Sequence, residues 1–323
     1  MDRPLVSCGK QTELDCAAHQ SCVNHLVRSS TAEAFASASS LAYRERILCL
    51  TMSRKLIPMA IAYDFDGTLA PGNIQENSFI PEIGMKKASF WQQNKKRAEK
   101  HEADEVLSYM TFMLERASAA DVPVRRQDFA RHGKTVPLFG GTADWFDRVN
   151  ARARERHVKL QHYIISSGIK EMIEATKIGN KFTKVFASSF AYDANGPALA
   201  INYTTKTQYL FRINKGSLSV HDHVLINDFV PHEDRPMPFS NIVFIGDGET
   251  DIPCMRLVRD QGGHSIAVYQ PGSSRKKARA ERLITDKRAD FIAPADYSEG
   301  RRLDEIISYP QSSTKSLPTM GSA

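Results

Sequence analysis

Ala60-Ile61-Ala62-Tyr63-Asp64-Phe65-Asp66-Gly67-Thr68-Leu69 runs an apolar strand into two acids and a glycine turn. In a β-strand, residues i and i+2 share a face, so the carboxylates of Asp64 and Asp66 point together into whatever lies beyond the strand end. Two like charges that close repel unless a cation sits between them or one carboxyl is protonated. The pair is therefore a candidate for Mg²⁺ binding, or for one nucleophilic and one proton-transferring carboxyl. Asp and Gly are also ordinary turn residues, so the pair alone does not decide between chemistry and a turn.

A second acidic cluster shifts the balance toward chemistry. Asn241-Ile242-Val243-Phe244-Ile245-Gly246-Asp247-Gly248-Glu249-Thr250-Asp251 repeats the order of apolar run, glycine turn and acids, then enters a helix-like segment from Ile252 to Val258. Two buried parallel strands thus each deliver carboxylates at their C-terminal ends, the edge at which open α/β sheets bind ligands. A third strand, Leu160 to Ile165, ends in Ser166-Ser167-Gly168. It offers hydroxyls and backbone amides at the start of the next helix, which suits a phosphate.

In this order the segments resemble the haloacid dehalogenase superfamily of phosphohydrolases, and its phosphoserine phosphatase-like members in particular. The motifs are DxDGT at Asp64 to Thr68, a strand ending in Ser166, a lysine opening a helix, and GDGxxD through Asp247 and Asp251. The match covers roughly residues 57 to 310. The resemblance implies an α/β fold, a Rossmann-like doubly wound parallel sheet with a smaller helical cap. It also implies that Asp64 attacks phosphorus to form an aspartyl-phosphate, while Asp66 protonates the leaving oxygen and later deprotonates water. Mg²⁺ would be held by the Asp64 carboxylate, the Asp66 backbone carbonyl and Asp247, with Asp251 orienting a metal-bound water or the lysine. Ser166, with the amides of Ser167 and Gly168, would hold the phosphoryl oxygens.

Two lysines compete for the phosphate-neutralising place. Lys206 follows Thr205, which can cap a helix whose buried stripe is Tyr209, Leu210 and Ile213. Lys215, before Gly216, lies closer to Asp247 in sequence but falls at the helix C-terminus, where lysine and glycine have an ordinary capping explanation. We favour Lys206. An acid at position 66 argues against carbon–halogen chemistry, because the dehalogenase and phosphonatase branches lack it. Phosphoryl-transfer mutase activity, or a catalytically silent phospho-ligand or protein-binding module, remains open on the same motifs.

About a hundred residues separate Asp66 from Ser166, more than one crossover helix needs. Phe90 to Ala120 is helix-prone, with an apolar stripe of Val106, Tyr109, Met110, Met113 and Leu114, and Asp128 to His132 can start another helix. The resemblance makes residues 73–137 a helical cap over a core of 57–72 and 138–310, with hinges near Pro71-Gly72 and Gly140-Gly141. Trp91, Lys95, Arg97 and Tyr109 are its candidate substrate-facing residues. Further helices are expected at Thr142 to His157, Ile169 to Ile178, Arg275 to Leu283 and Ser298 to Ser308. Strands are expected at Val185 to Ser188, Ser265 to Tyr269 and Asp290 to Ala293, and a hairpin arm at Ala198 to Tyr203. No function is assigned to Ser217 to Ser240, whose Asp228, His232, Glu233 and Asp234 read as solvated.

The 323 residues are 41% hydrophobic and 25% charged, enough for one large core and a smaller module. No apolar run approaches the roughly 20 residues of a membrane span. The net charge of +6 comes partly from Lys95-Lys96-Arg97, Arg152, Arg154 and Arg156, and Arg275-Lys276-Lys277 with Arg279. These runs lie in helix-like segments without interleaved aromatics and read as solvated faces, so the expected partner is a small phosphate ester and not nucleic acid or membrane. Four of the five cysteines, Cys8, Cys16, Cys22 and Cys49, fall in residues 1–56, which read as a poorly ordered extension; 311–323 read as a flexible tail. Cys16, His19, Cys22 and His25 recur every three residues, but structural zinc sites separate their ligand pairs by a longer loop. There is no apolar h-region, and Glu33 and Glu45 weaken a transit-peptide reading, which leaves a cytoplasmic enzyme as the expectation. Met52 stands where such an enzyme would naturally begin. Cys254 reads as a small buried hydrophobe.

Overall fold

The structure is a computed structural model that describes residues 56–194, 196–202 and 205–308. The extension expected over 1–56 (save Leu56), its cysteine and histidine spacing, the start at Met52 and the tail over 311–323 lie outside the described residues. The described residues group as one compact unit.

A seven-stranded sheet organises it, in the order β4-β3-β2-β1-β5-β6-β7. The strands are β1 (Ile57–Tyr63), β2 (Val158–Ile169), β3 (Lys184–Asp193), β4 (Gly196–Asn202), β5 (Ile242–Gly246), β6 (His264–Tyr269) and β7 (Phe291–Pro294). All neighbours pair in parallel except the β3–β4 hairpin, which is antiparallel. The chain leaves β1 toward β2 on one side and returns to β5 on the other. Their C-terminal ends therefore form the crevice of a doubly wound sheet.

Central parallel strands are covered on both faces, hence their nearly continuous apolar sequences. Ile61 and Tyr63 of β1 face one layer, with Phe146 and Trp145; Ala60 and Ala62 face the other, with Phe244, Tyr209 and Met255. The Tyr63 hydroxyl, buried in the first layer, accepts from Trp145 Nε1 at 2.9 Å and meets His162 Nδ1 at 3.0 Å. Burial lowers the His162 pKa to about 3, so the ring is neutral. Cys254 is buried, as expected of a small hydrophobe. No described helix is long and apolar enough to cross a membrane.

Between β1 and β2 come α1 (Phe79–Glu82), α2 (Lys87–His101), α3 (Glu105–Ala119), α4 (Arg126–Gly133) and α5 (Thr142–Glu155). The insert shares its apolar layer with the sheet: Phe90, Met110, Met113 and Phe129 belong to the same buried cluster as Ile61 and Trp145. The expected hinge at Gly140-Gly141 is pinned. Tyr297 N–H donates to Gly140 O at 2.8 Å, and a Cβ at Gly141 would lie 2.2 Å from Ser298 N.

Past β2 the chain departs from the expected helix of Ile169 to Ile178. The strand runs on to Ile169 with a register break after Ile165, and α6 occupies only Lys170–Glu174. Ile169, Met172 and Ile173 have helical spacing, but the first belongs to the strand. The remaining helices are α7 (Lys206–Lys215), α8 (Val224–Asn227), α9 (Ile252–Asp260), α10 (Ser274–Thr285) and α11 (Arg302–Ser308). Thr205 stands at the N-cap of α7 without a side-chain capping bond.

Segment 217–228 is fastened to α7 by two cations. Arg212, fully buried, donates from Nη1 to the carbonyls of Ser217 (3.3 Å), Ser219 (2.7 Å) and Asp222 (3.1 Å), and from Nη2 to that of Val220 at 3.0 Å. Lys215 Nζ donates to the carbonyls of Ile226 at 2.8 Å and Asp228 at 2.7 Å. Val224, Leu225 and Phe229 are left exposed.

Helix α4 lies so close to α6 that a Cβ on Gly133 would fall 2.0 Å from Met172 O. Gly133→Ala is expected to lower stability by about 1–3 kcal/mol through overpacking. Thermal unfolding checks this; an unchanged melting temperature would contradict the packing of α4 on α6.

Candidate functional site

Four loops meet at the C-terminal edge of the sheet. Asp64 N–H donates to Ile245 O at 2.9 Å, which carries the β1–β5 ladder one residue past the strand and sets Asp64 beside the Gly246-Asp247 turn. The chain then folds back on Phe65 O, which accepts from Thr68, Leu69 and Ala70 N–H. Gly67 is required here twice. Its φ of +78° suits glycine, and a Cβ would lie 2.2 Å from Asp247 Oδ2. The turn is anchored from outside by Tyr297, whose hydroxyl donates to Thr68 O at 2.9 Å, and by Phe139 N–H on Leu69 O at 3.0 Å.

Lys206, the first residue of α7, puts its ammonium 3.0 Å from Asp64 Oδ1 and 2.6 Å from Asp251 Oδ1, with all three side chains buried. Lys215 is at the far end of α7, bonded to carbonyls of 226 and 228. Geometry thus separates the two candidate lysines. Burial alone would lower the Lys206 pKa, but Asp251 and Asp64 outweigh it and hold the ammonium charged.

Asp251 has its acceptors engaged. Oδ1 takes Lys206, and Oδ2 takes the N–H groups of Asp247 and Gly248 at 3.1 and 3.0 Å. It therefore fastens the Asp247 turn to the lysine. Asp247 is also approached by Lys276 of α10, 3.7 Å from Oδ2. Lys276 belongs to a basic run that reads in sequence as a solvated face, and nothing local to it signals this contact.

Asp66 points toward the third loop. Its Oδ1 accepts Ile74 N–H at 2.8 Å, and its Oδ2 lies where a Cβ on Gly168 would approach to 2.9 Å. The same Cβ would come within 3.4 Å of Ser166 Oγ, so Ser166, Gly168 and Asp66 converge. Gly168 N–H donates to Ser166 Oγ at 3.1 Å. Ser166, Ser167 and Gly168 belong to the bulged end of β2 and not to a helix N-terminus, which corrects the expected source of their amides. From the insert, the Tyr109 hydroxyl donates to Ser167 O.

The other candidate insert residues are engaged elsewhere. Trp91 Nε1 donates to Glu76 at 2.7 Å, Arg97 pairs with Glu115 at 2.5 Å, and Lys95 is exposed near Glu99. On the distant segment, Asp228, Glu233 and Asp234 are exposed, as expected.

Crowded acids raise one another. Burial, then Asp251, lift the Asp64 pKa to about 7 against the pull of Lys206, and burial with Asp251 lifts Asp247 to about 6. Burial and the neighbouring Asp64 put Asp66 well above the carboxylate range. Asp64, Asp247 and Asp251 can each offer an oxygen within 4.8 Å of the others. Three carboxylates against one fully buried cation leave an excess of negative charge on hard oxygen donors, which fits a hard divalent cation. Both oxygens of Asp251 are committed to Lys206 and two amides, whereas Asp64 meets Lys206 through Oδ1 alone, so Asp64 and Asp247 are the carboxylates with oxygens left to serve it.

Comparison with known proteins places the chain in a family. A family model described as haloacid dehalogenase-like hydrolase matches residues 61–256. An uncharacterized protein of Borreliella burgdorferi is 26% identical over 279 residues, covering 76% of this chain and 93% of the relative. Pyridoxal phosphate phosphatase PHOSPHO2 of Homo sapiens is 23% identical over 183 residues, 55% of this chain and 68% of that protein. Among solved structures, a phospho-aspartyl intermediate analogue of phosphoserine phosphatase superposes with a TM-score of 0.48 at 16% identity, covering 78% of this chain and 99% of the other.

The raised pKa values carry a sign. From the ordinary 3.8 up to about 7 at Asp64 and about 6 at Asp247, the folded metal-free chain holds protons that the unfolded chain has lost. This contribution is fully present below the unfolded value and is lost as pH rises through about 6 to 7. In chelator, the urea midpoint should fall from pH 5 to pH 8 more for the native chain than for Asp247→Asn, and Mg²⁺ should restore it more at pH 8. Equal slopes for both proteins would contradict the electrostatic account.

Proposed function

The chain belongs to the haloacid dehalogenase-like hydrolase family, and from that membership we propose that it is a Mg²⁺-dependent phosphatase hydrolysing a small phosphomonoester through an aspartyl-phosphate on Asp64. The observation that carries this is the buried Lys206 ammonium, 3.0 Å from Asp64 Oδ1 at the mouth of the sheet. It lowers the cost of bringing a phosphate dianion to a carboxylate.

Asp64 attacks phosphorus while the bond to the leaving oxygen breaks, and Asp66 gives its proton to that oxygen. A carboxyl held well above its ordinary pKa suits the acid role. Asp66, now ionised, then takes a proton from the water that releases phosphate from Asp64. Ser166 Oγ and the Ser167 amide hold phosphoryl oxygens, the Gly168 amide being shared with Ser166 Oγ, and Lys206 offsets their charge. Mg²⁺, held by Asp64, Asp247 and the main-chain carbonyl of Asp66, would supply further positive charge against the phosphoryl group. Asp251 acts through Lys206 and the Asp247 turn. We read residues 73–137 as a cap over the core of 57–72 and 138–310. We place the enzyme in the cytoplasm, with neither nucleic acid nor membrane as partner. The similarity to a pyridoxal phosphate phosphatase supports a small-molecule ester as substrate.

A screen of phosphomonoesters with Mg²⁺ tests this directly. Asp64→Asn is expected to abolish turnover. Asp66→Asn should slow esters of poor leaving groups by about 10²–10⁴-fold and those of good ones less. Equal loss for both classes would contradict the acid role, and labelled phosphate recovered on a second hydroxyl instead of in water would make the enzyme a mutase.

A further inference from the structure

Tyr109 is buried at a junction of four elements. It projects from α3 of the insert and donates its hydroxyl to Ser167 O at the end of β2. Ser188 of β3 and Gln75 of the turn after β1 also lie against that hydroxyl. The ring is fixed by an edge-on contact with Trp91, centroids 5.5 Å apart.

The accepting carbonyl belongs to a peptide with a second task. A trans peptide is planar, so Ser167 C=O and Gly168 N–H point in opposite directions from one rigid unit. Tyr109 holds the carbonyl end. The N–H end donates to Ser166 Oγ at 3.1 Å. Rotation of this peptide breaks both bonds together, and backbone beside a register break has no regular ladder to resist rotation.

Resting on the phosphatase reading for the role of Ser166, we propose that Tyr109 is a positioning residue: through the Ser167–Gly168 peptide, it ties the orientation of the Ser166 hydroxyl to the position of the insert helix. Phosphoryl contact is then complete only when α3 is seated on the sheet edge. Tyr109 touches no reacting atom in this role. Its effect falls on turnover, because a misaimed hydroxyl loses more transition-state stabilisation than ground-state binding.

Tyr109→Phe keeps the ring and removes the donor. Its kcat for a phosphomonoester should fall by about 10- to 100-fold, the scale expected of a small misplacement, with KM changed much less. In a Ser166→Ala background the same substitution should cost less than about threefold, because the group it positions is gone. A merely structural tyrosine would cost the same in both backgrounds, and that result overturns the proposal. Amide hydrogen exchange, read by NMR without substrate, gives an arm independent of activity. Gly168 N–H should exchange at least about tenfold faster in Tyr109→Phe while Ile164 and Ile165 in the same strand are unchanged. Unaltered exchange at Gly168, or uniform acceleration along β2, also overturns it. If the native chain hydrolyses no ester, the phosphatase reading fails while the exchange arm still decides whether Tyr109 orients the peptide.

Discussion

One buried ammonium holds the acidic edge of the sheet together. Lys206 sits between Asp64, from the end of β1, and Asp251, from the turn after β5, and so joins the two acidic loops through a third element. Removing one partner of a buried ion pair leaves an uncompensated charge, at about 3–5 kcal/mol. Here the consequence is larger in kind, since Asp251 also holds the amides of Asp247 and Gly248. The lysine therefore sets where Asp247 stands as well as the charge beside Asp64. Sheet order is what makes this geometry available: β1 and β5 are adjacent although 180 or so residues separate their sequences, and crossovers to both sides leave the crevice open at their ends.

Around the acids, the loops are held chiefly by their main chains. Tyr297 reaches Thr68 O, Tyr109 reaches Ser167 O, and Phe139 N–H reaches Leu69 O. Tyrosine suits this work because a large apolar ring fixes the position while the hydroxyl supplies one directed bond. The two rings come from opposite ends of the chain order, one from the insert and one from the loop after β7. The Asp64 turn and the Ser166 loop are thus each gripped by an element outside the central strands.

The fold and the charged centre were legible where chemistry is local. An apolar run ending in Asp-x-Asp-Gly marks a buried strand and its exit, and the same order at Ile242 to Asp251 marks its neighbour. Lys206 was readable because it opens a helix directly after a strand, and Lys215 was readable as a helix-end lysine. The end of β2 was misread because Ile169, Met172 and Ile173 repeat at helical spacing, whereas a bulge carries the strand through Ile169. Lys276 against Asp247 and Tyr297 against Thr68 were invisible for a different reason. Neither sits in a local pattern, and both contacts exist only once β6 and β7 have been laid beside β5.

The guanidinium of Arg212 grips carbonyl oxygens at 217, 219, 220 and 222, and Lys215 those at 226 and 228. Carbonyls are common to every residue type, so this anchorage is blind to the letters written along the segment. Drift at Val224, Leu225 and Phe229, 71, 55 and 88% exposed, leaves the mooring intact. The molecule carries a patch of outer surface that evolution can rewrite without disturbing the acids at the sheet's mouth.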